Sequence, residues 1–287
     1  MGIGIPLLDP TVWMTRALQP SLITSCLFNR WAPIGLAHPL YKNPLAIMTD
    51  KKIIVAVDGY SSCGKSSMAR ALAKNIGYIY VDTGAMYRGV TLFALREGLI
   101  IPSGEILEAE LESRLSSLSL TFDRQEGYEE PVLHLNGSCV EQDIRTMQVA
   151  SHVSPIAALP FVREFLTRQQ QALGQAKGIV MDGRDIGTAV FPEAEMKVFV
   201  TADPRVRAER RLAELRSKGD NSISLEEVLK NLQKRDYIDT HRPVAPLRQA
   251  EDAVVLDNSH VSISEQDLML RFAFEAILAH LRGGQRG

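Results

Sequence analysis

The chain has 287 residues, of which 45% are hydrophobic and 23% charged, a balance that excludes collagen, a coiled coil and intrinsic disorder. Its net charge of −2 removes the footprint of a protein that holds nucleic acid by bulk charge, so no nucleic-acid partner is expected and any nucleotide contact must be local. Cys26, Cys63 and Cys139 are too few for a disulfide framework or a thiolate zinc site, and no uncharged apolar run reaches the roughly 18 residues of a membrane span, so the expectation is a cytoplasmic protein without a membrane partner.

Residues 1–47 differ from the rest. They hold both tryptophans, six of the 14 prolines and four formal charges, and the prolines cut every helix short, so this stretch reads as a poorly ordered extension. Met48 is a candidate natural start, because a strand-like block begins at Lys52. The remainder, 48–287, reads as one domain. Ile53 to Val57 is an apolar strand leading through a glycine-rich turn into a helix over Ser66 to Asn75, which Gly77 closes. Tyr78 to Val81 is a second strand, followed by a helix over Ala85 to Glu97 with Met86, Val90, Phe93 and Ala94 on one face.

Between Ser117 and Val140 the pattern turns to short β-type segments, with Asn136-Gly137 as a hairpin signal, which predicts a small antiparallel insert. Buried-strand candidates follow at Gly178 to Met181, Lys197 to Val200 and Ala253 to Leu256. Two helices without a strand lie between Asp203 and Arg242; the first is strongly basic, and the second opens on the capping box Ser224 to Glu227. Strands alternating with helices predict an α/β fold with a five-stranded parallel sheet covered on both faces.

The strongest chemical signal is Gly59-Tyr60-Ser61-Ser62-Cys63-Gly64-Lys65-Ser66, a full G-x-x-x-x-G-K-[ST] between a strand and a helix. Such a loop turns its backbone N–H groups around a polyphosphate, which here predicts a bound nucleotide with Mg²⁺. Lys65 would reach the β/γ-phosphates and Ser66 would touch Mg²⁺, while Cys63 reads as a small side chain tolerated in a tight loop. A second supply of positive charge moves the reading from switch to kinase, because transfer between two anionic partners is catalysed mainly by positioning and charge neutralisation. Arg88 and Arg184 both fall at the carboxyl ends of predicted parallel strands, where open α/β sheets bind their ligands.

The P-loop together with Asp82-Thr-Gly-Ala-Met-Tyr-Arg88, Asp143-Ile-Arg-Thr146, Phe161-Val-Arg-Glu164, Met181-Asp-Gly-Arg-Asp-Ile-Gly-Thr188 and Lys234 through Leu247 resembles the bacterial cytidylate (CMP) kinases, a family of P-loop nucleoside monophosphate kinases. The likeness runs from about Lys52 to the C-terminal helix. It implies transfer of the γ-phosphoryl group of ATP to CMP and dCMP, with the P-loop kinase fold, a monophosphate-binding insert over about 104–145 and a helical lid over about 203–242. By the same resemblance, Arg88, Arg184 and Arg242 surround the acceptor phosphate and Arg235 and Asp239 hold the pentose. Ser154, Arg163 and Asp185 read the cytosine, and Thr83 joins the substrate set. Arg207 and Arg211 would bring charge from the lid, with Lys65 and Arg184, to the transferring group. The chain is expected to act as a monomer.

Two departures from the family pattern stand out. Ser66 and Ser67 follow the lysine where a glycine and then a hydroxyl are common, which leaves open which of them meets Mg²⁺; and Thr83 replaces a serine. Asp58, Asp82 and Asp182 are candidates for the metal's water shell, unranked by sequence. A P-loop kinase for UMP, AMP or shikimate is the nearest alternative, which Ser154, Arg163 and Asp185 discriminate. A nucleotide switch is a more distant one, against which stands the lack of an Asn-Lys-x-Asp motif.

Overall fold

The computed structural model describes residues 52–217, 219 and 222–283. The N-terminal extension and the candidate start at Met48 lie outside the described residues. A parallel sheet is built from β1 (Ile54–Gly59), β2 (Ile79–Asp82), β6 (Ile179–Gly183), β7 (Met196–Thr201) and β8 (Val254–Asp257), in the order β2-β6-β1-β7-β8. Every residue of β1 is buried, which is why this strand reads as an unbroken apolar run and sits at the centre. Val55 and Val57 face a core shared with α1 (Lys65–Ile76) and α8 (Ile263–Gly283), while Ile54 and Ala56 face Val81, Met181, Ile186 and Val190 on the other side.

α1 ends on Gly77 in the left-handed conformation, as the sequence predicts. α2 (Thr83–Arg96) carries Met86, Val90, Phe93 and Ala94 into a second core with α4 (Met147–Ala158) and α5 (Pro160–Gly174). The insert's sheet, β3 (Leu120–Asp123), β4 (Val132–Leu135) and β5 (Ser138–Cys139), is antiparallel and packs Leu133 and Leu135 on that core. Asn136 and Gly137 have φ of 49° and 81°, the pair of positive values a tight two-residue hairpin demands. The insert also holds a helix that the β-type reading missed, α3 (Glu108–Arg114), whose only buried residue is Leu111. So short and one-sided a helix leaves almost no periodic signal.

α6 (Pro204–Ser217) and α7 (Leu225–His241) pack on each other through Ala208, Leu212, Leu215, Val228 and Leu232. Both bonds of the predicted capping box are made: Ser224 Oγ accepts from the Glu227 N–H at 3.3 Å, and Glu227 Oε2 accepts from the Ser224 N–H at 2.8 Å. Among the described residues no helix is long and apolar enough to cross a membrane.

Candidate active site

The carboxyl ends of β1, β2 and β6 meet the amino ends of α1 and α2, and the sequence motifs converge there. Gly59 has φ 154°, and a Cβ on it would lie 2.1 Å from the Val200 carbonyl oxygen, so only glycine lets the loop leave β1 against β7. Gly64 has φ 91°, and its missing Cβ leaves room for the Asn258 side chain, whose Nδ2 donates to the Cys63 carbonyl at 2.8 Å. Cys63 is fully buried, a packed residue of the loop. Lys65 is also buried and its Nζ turns back on the Tyr60 carbonyl at 3.2 Å; burial, then the charge of Arg184, lowers its pKa.

Ser66 Oγ donates to Asp182 Oδ2 at 2.6 Å, and the Tyr80 hydroxyl donates to Asp182 Oδ1 at 2.7 Å. Ser67 is exposed. Of the three aspartates left unranked by sequence, Asp182 alone meets a P-loop hydroxyl. Both oxygens of Asp58 accept backbone N–H groups, from Ile186 at 2.8 Å and Gly187 at 2.7 Å. Asp82 accepts from the Ala85 N–H, from Arg88 Nη2 at 2.8 Å and from Arg145 Nη2 at 3.2 Å. Against the cost of burial, the charges of Arg88 and Arg145 and the Ala85 N–H hold the Asp82 carboxyl down to about 2. The pair Ser66 and Asp182 offers hard oxygen atoms at the mouth of the loop, a donor set that fits Mg²⁺.

Opposite the loop lies a cluster of guanidinium groups. Arg184 reaches Asp239 Oδ2 at 2.8 Å and Ser61 Oγ at 3.0 Å, so it ties the P-loop to α7. Arg235, one turn before Asp239 on that helix, has a buried Nε without a hydrogen-bond partner. Its own burial, then the positive charge of Arg184, with Arg211 and Arg88 adding to it, lowers its pKa to about 10. The Nε of Arg88 is likewise buried and unpaired. Donors left bare among like charges are costly in the empty protein, and an anion with several acceptor oxygens would satisfy them together.

Beyond the end of β6, the residue after Arg184 begins a different arrangement. Asp185 accepts from Arg163 Nη2 at 2.5 Å and from Arg242 Nη2 at 3.1 Å, with all three side chains almost fully buried. Arg163 also lies over the Tyr87 ring, 5.4 Å from its centroid. Ser154, on the neighbouring helix α4, is half-buried, and its hydroxyl makes no hydrogen bond among the described residues.

A family model described as cytidylate kinase matches residues 55–270. The chain belongs to the cytidylate kinase family. A cytidylate kinase from Porphyromonas gingivalis is 58% identical over 231 residues, 80% of this chain and 99% of that protein. Those of Phocaeicola vulgatus and Bacteroides thetaiotaomicron are 56% and 53% identical, each over 79% of this chain and 99% of the relative. Among solved structures, a shikimate kinase from Bacteroides thetaiotaomicron aligns at TM-score 0.42 and 11% identity, over 78% of this chain and 99% of that one, a distant likeness.

In this cytidylate kinase family member hydrogen bonds and ion pairs link the motif residues beyond the carboxyl ends of the strands. Arg242 stands on Asp185 beside Arg163 and donates to the Ala245 carbonyl at 2.6 Å, and through Asp239 it also adjoins Arg184. Asp239 is engaged by Arg184 and, at 3.7 Å, by Arg242. Thr83 begins α2 and its buried hydroxyl donates to the Asp182 carbonyl at 2.6 Å. Arg207 and Arg211, paired by their spacing on α6, have different partners. Arg207 is buried against Asp236 at 2.6 Å, the Ser61 carbonyl at 3.2 Å and the Tyr60 ring, whereas Arg211, a quarter exposed, pairs with Glu214 at 2.7 Å.

Sequence reasoning missed Asp236, which holds Arg207 and accepts from the Ser61 N–H at 3.4 Å, and Tyr80, which holds Asp182. Asp236 lies beside, not on, the stripe formed by Arg235, Asp239 and Arg242, and its partner Arg207 belongs to another helix, so no local spacing singles it out. Tyr80 had no signal either, since a tyrosine in a short strand reads as packing.

Proposed function

We propose that this chain transfers the γ-phosphoryl group of ATP to CMP, and to dCMP, giving the nucleoside diphosphate and ADP. The observation that carries the reading is the second anion site: unpaired buried donors on Arg88 and Arg235, beside Arg184 and Arg211, facing a formed P-loop. Membership of the cytidylate kinase family supports the choice of acceptor.

In this mechanism the P-loop N–H groups and Lys65 hold the donor phosphates, and Arg88, Arg184 and Arg235 orient the CMP phosphate so that one of its oxygens attacks the γ-phosphorus in line. Arg235 is assigned here to the phosphate, not to the pentose as the resemblance implies, because its bare Nε lies among other guanidinium groups. The bond to the bridging oxygen breaks and ADP leaves, with no protein nucleophile. Ser66 and Asp182 would hold Mg²⁺, which supplies charge neutralisation at the donor phosphates when bound. Arg207 stiffens the wall of the loop, and Arg211 delivers charge from α6. Asp185 with Arg163 and Ser154 presents acceptor and donor groups that complement the amino, ring-nitrogen and carbonyl edge of cytosine. A base with the reversed pattern would leave that buried set unpaired, which is how discrimination arises. The helices α6 and α7 act as a lid that excludes water and suppresses ATP hydrolysis. The protein works as a cytoplasmic monomer.

A coupled assay of ADP release with MgATP and CMP, dCMP, UMP, AMP, GMP, shikimate or no acceptor tests this. Release with CMP and dCMP is expected. Release with shikimate or AMP alone would overturn the acceptor assignment, and equal release without acceptor would make the protein an ATPase.

A further inference from the structure

Asp58 is the fifth residue of β1, 5% exposed, and makes no ion pair among the described residues. Its carboxylate is spent on backbone. Oδ1 accepts from the Ile186 N–H at 2.8 Å and Oδ2 from the Gly187 N–H at 2.7 Å, across 128 and 129 residues of chain. These are the leading N–H groups of a short wide helical turn, Ile186–Val190. The first N–H groups of any helical turn lack partners within it and need an acceptor from outside. Asp185, at the position that would normally supply one, makes no such bond, because Arg163 and Arg242 occupy its side chain. The cap therefore comes from another strand.

The turn is gripped on its other sides as well. The Asp185 carbonyl accepts from the Ala189 and Val190 N–H groups at 2.8 and 3.1 Å. A Cβ on Gly187 would lie 3.1 Å from the Lys197 side chain and 3.4 Å from Asp58 Oδ2, so the fit is close. We infer that Asp58 is a positioning residue for acceptor recognition, fixing the turn that follows Arg184 and Asp185 to the strand that delivers the P-loop. The inference rests on the kinase reading given above. It also explains why a carboxylate is kept in this place at all: burial pushes its pKa up to about 7 in spite of the two N–H bonds, a cost that an apolar residue would avoid.

Asp58→Asn keeps the shape but turns an NH₂ toward one of the two N–H groups, so one end of the turn loses its acceptor. The test compares wild type and Asp58→Asn by steady-state kinetics with CMP and UMP at saturating MgATP, and with ATP at saturating CMP. A displacement near 1 Å at Asp185 predicts a rise in the KM for CMP of about 10- to 100-fold, a fall in the CMP to UMP preference by a similar factor, and a KM for ATP within about threefold of wild type. A variant with wild-type KM and preference overturns the inference, and so does equal loss for CMP and ATP, which would mark a merely structural residue. If Asp58→Asn does not fold, Asp58→Glu carries the same comparison, since its extra methylene must push the turn outward; an unchanged preference there is equally fatal. Wild type without CMP-dependent activity would defeat the kinase reading itself, an outcome distinct from either.

Discussion

The two halves of the cleft are finished to different degrees. On the P-loop side the polar side chains are already satisfied within the protein: Lys65 rests on Tyr60, Ser66 on Asp182, and Ser61 on Arg184, Arg207 and Asp236. On the acceptor side Arg88 and Arg235 keep buried donors with no partner, and Arg235 has its proton affinity lowered first by burial and then by its cationic neighbours. A loop that binds polyphosphate through backbone can be preformed at little cost, because N–H groups are neutral. A site that binds phosphate through guanidinium groups stores like-charge repulsion until the ligand arrives.

The sharpest way to break this contrast is at Lys65. Lys65→Met should lower kcat by about a thousandfold or more while leaving the fold intact, because its charge acts on the transferring group. Circular dichroism and the coupled assay check both halves of that statement. Arg235→Gln should act in opposite directions on stability and function. The KM for CMP should rise by about 10- to 100-fold, yet the melting temperature should hold or increase, since a crowded cation is removed. A drop in melting temperature would mean that Arg235 is tied into the fold after all.

Asp82 sharpens the comparison through pH. Its folded-state pKa of about 2 lies below the ordinary 3.8, so the stability it contributes is present above about pH 4 and is lost as pH falls toward 2. Arg145→Ala should raise the Asp82 pKa toward its ordinary value, so the neutral plateau falls and the difference from wild type closes as pH drops toward 2, as thermal melts across pH 2 to 6 would record. The smallest effect belongs to a region outside the cleft. Ser224→Ala removes the cap of α7, for about 1 kcal/mol and a fall of about 2–4 °C in melting temperature. The CMP to UMP preference should not change.

Much of this was legible in the sequence for one physical reason, contiguity. The P-loop, the Asn136-Gly137 hairpin, the Gly77 stop and the Ser224 capping box are local devices whose partners lie within a few residues, and all four stand where the pattern predicts. The five strands were readable because burial on both faces leaves unbroken apolar runs. What escaped was settled between distant segments. Nothing local says that Asp58 will cap a turn at Ile186, that Asp236 will seize Arg207, or that Arg242 will join Arg163 on Asp185. The equal standing of Asp58, Asp82 and Asp182 in the sequence dissolves once each carboxylate is seen with its own partners.

The central claim is that the acceptor side holds bare charge for a phosphate, and it is tested most directly by calorimetric titration of wild type and Arg235→Gln with CMP and with cytidine. The account predicts that CMP binds wild type at least tenfold more tightly than cytidine, and that Arg235→Gln loses most of that margin while cytidine binding stays put. Equal binding of CMP and cytidine to the wild-type protein would contradict it.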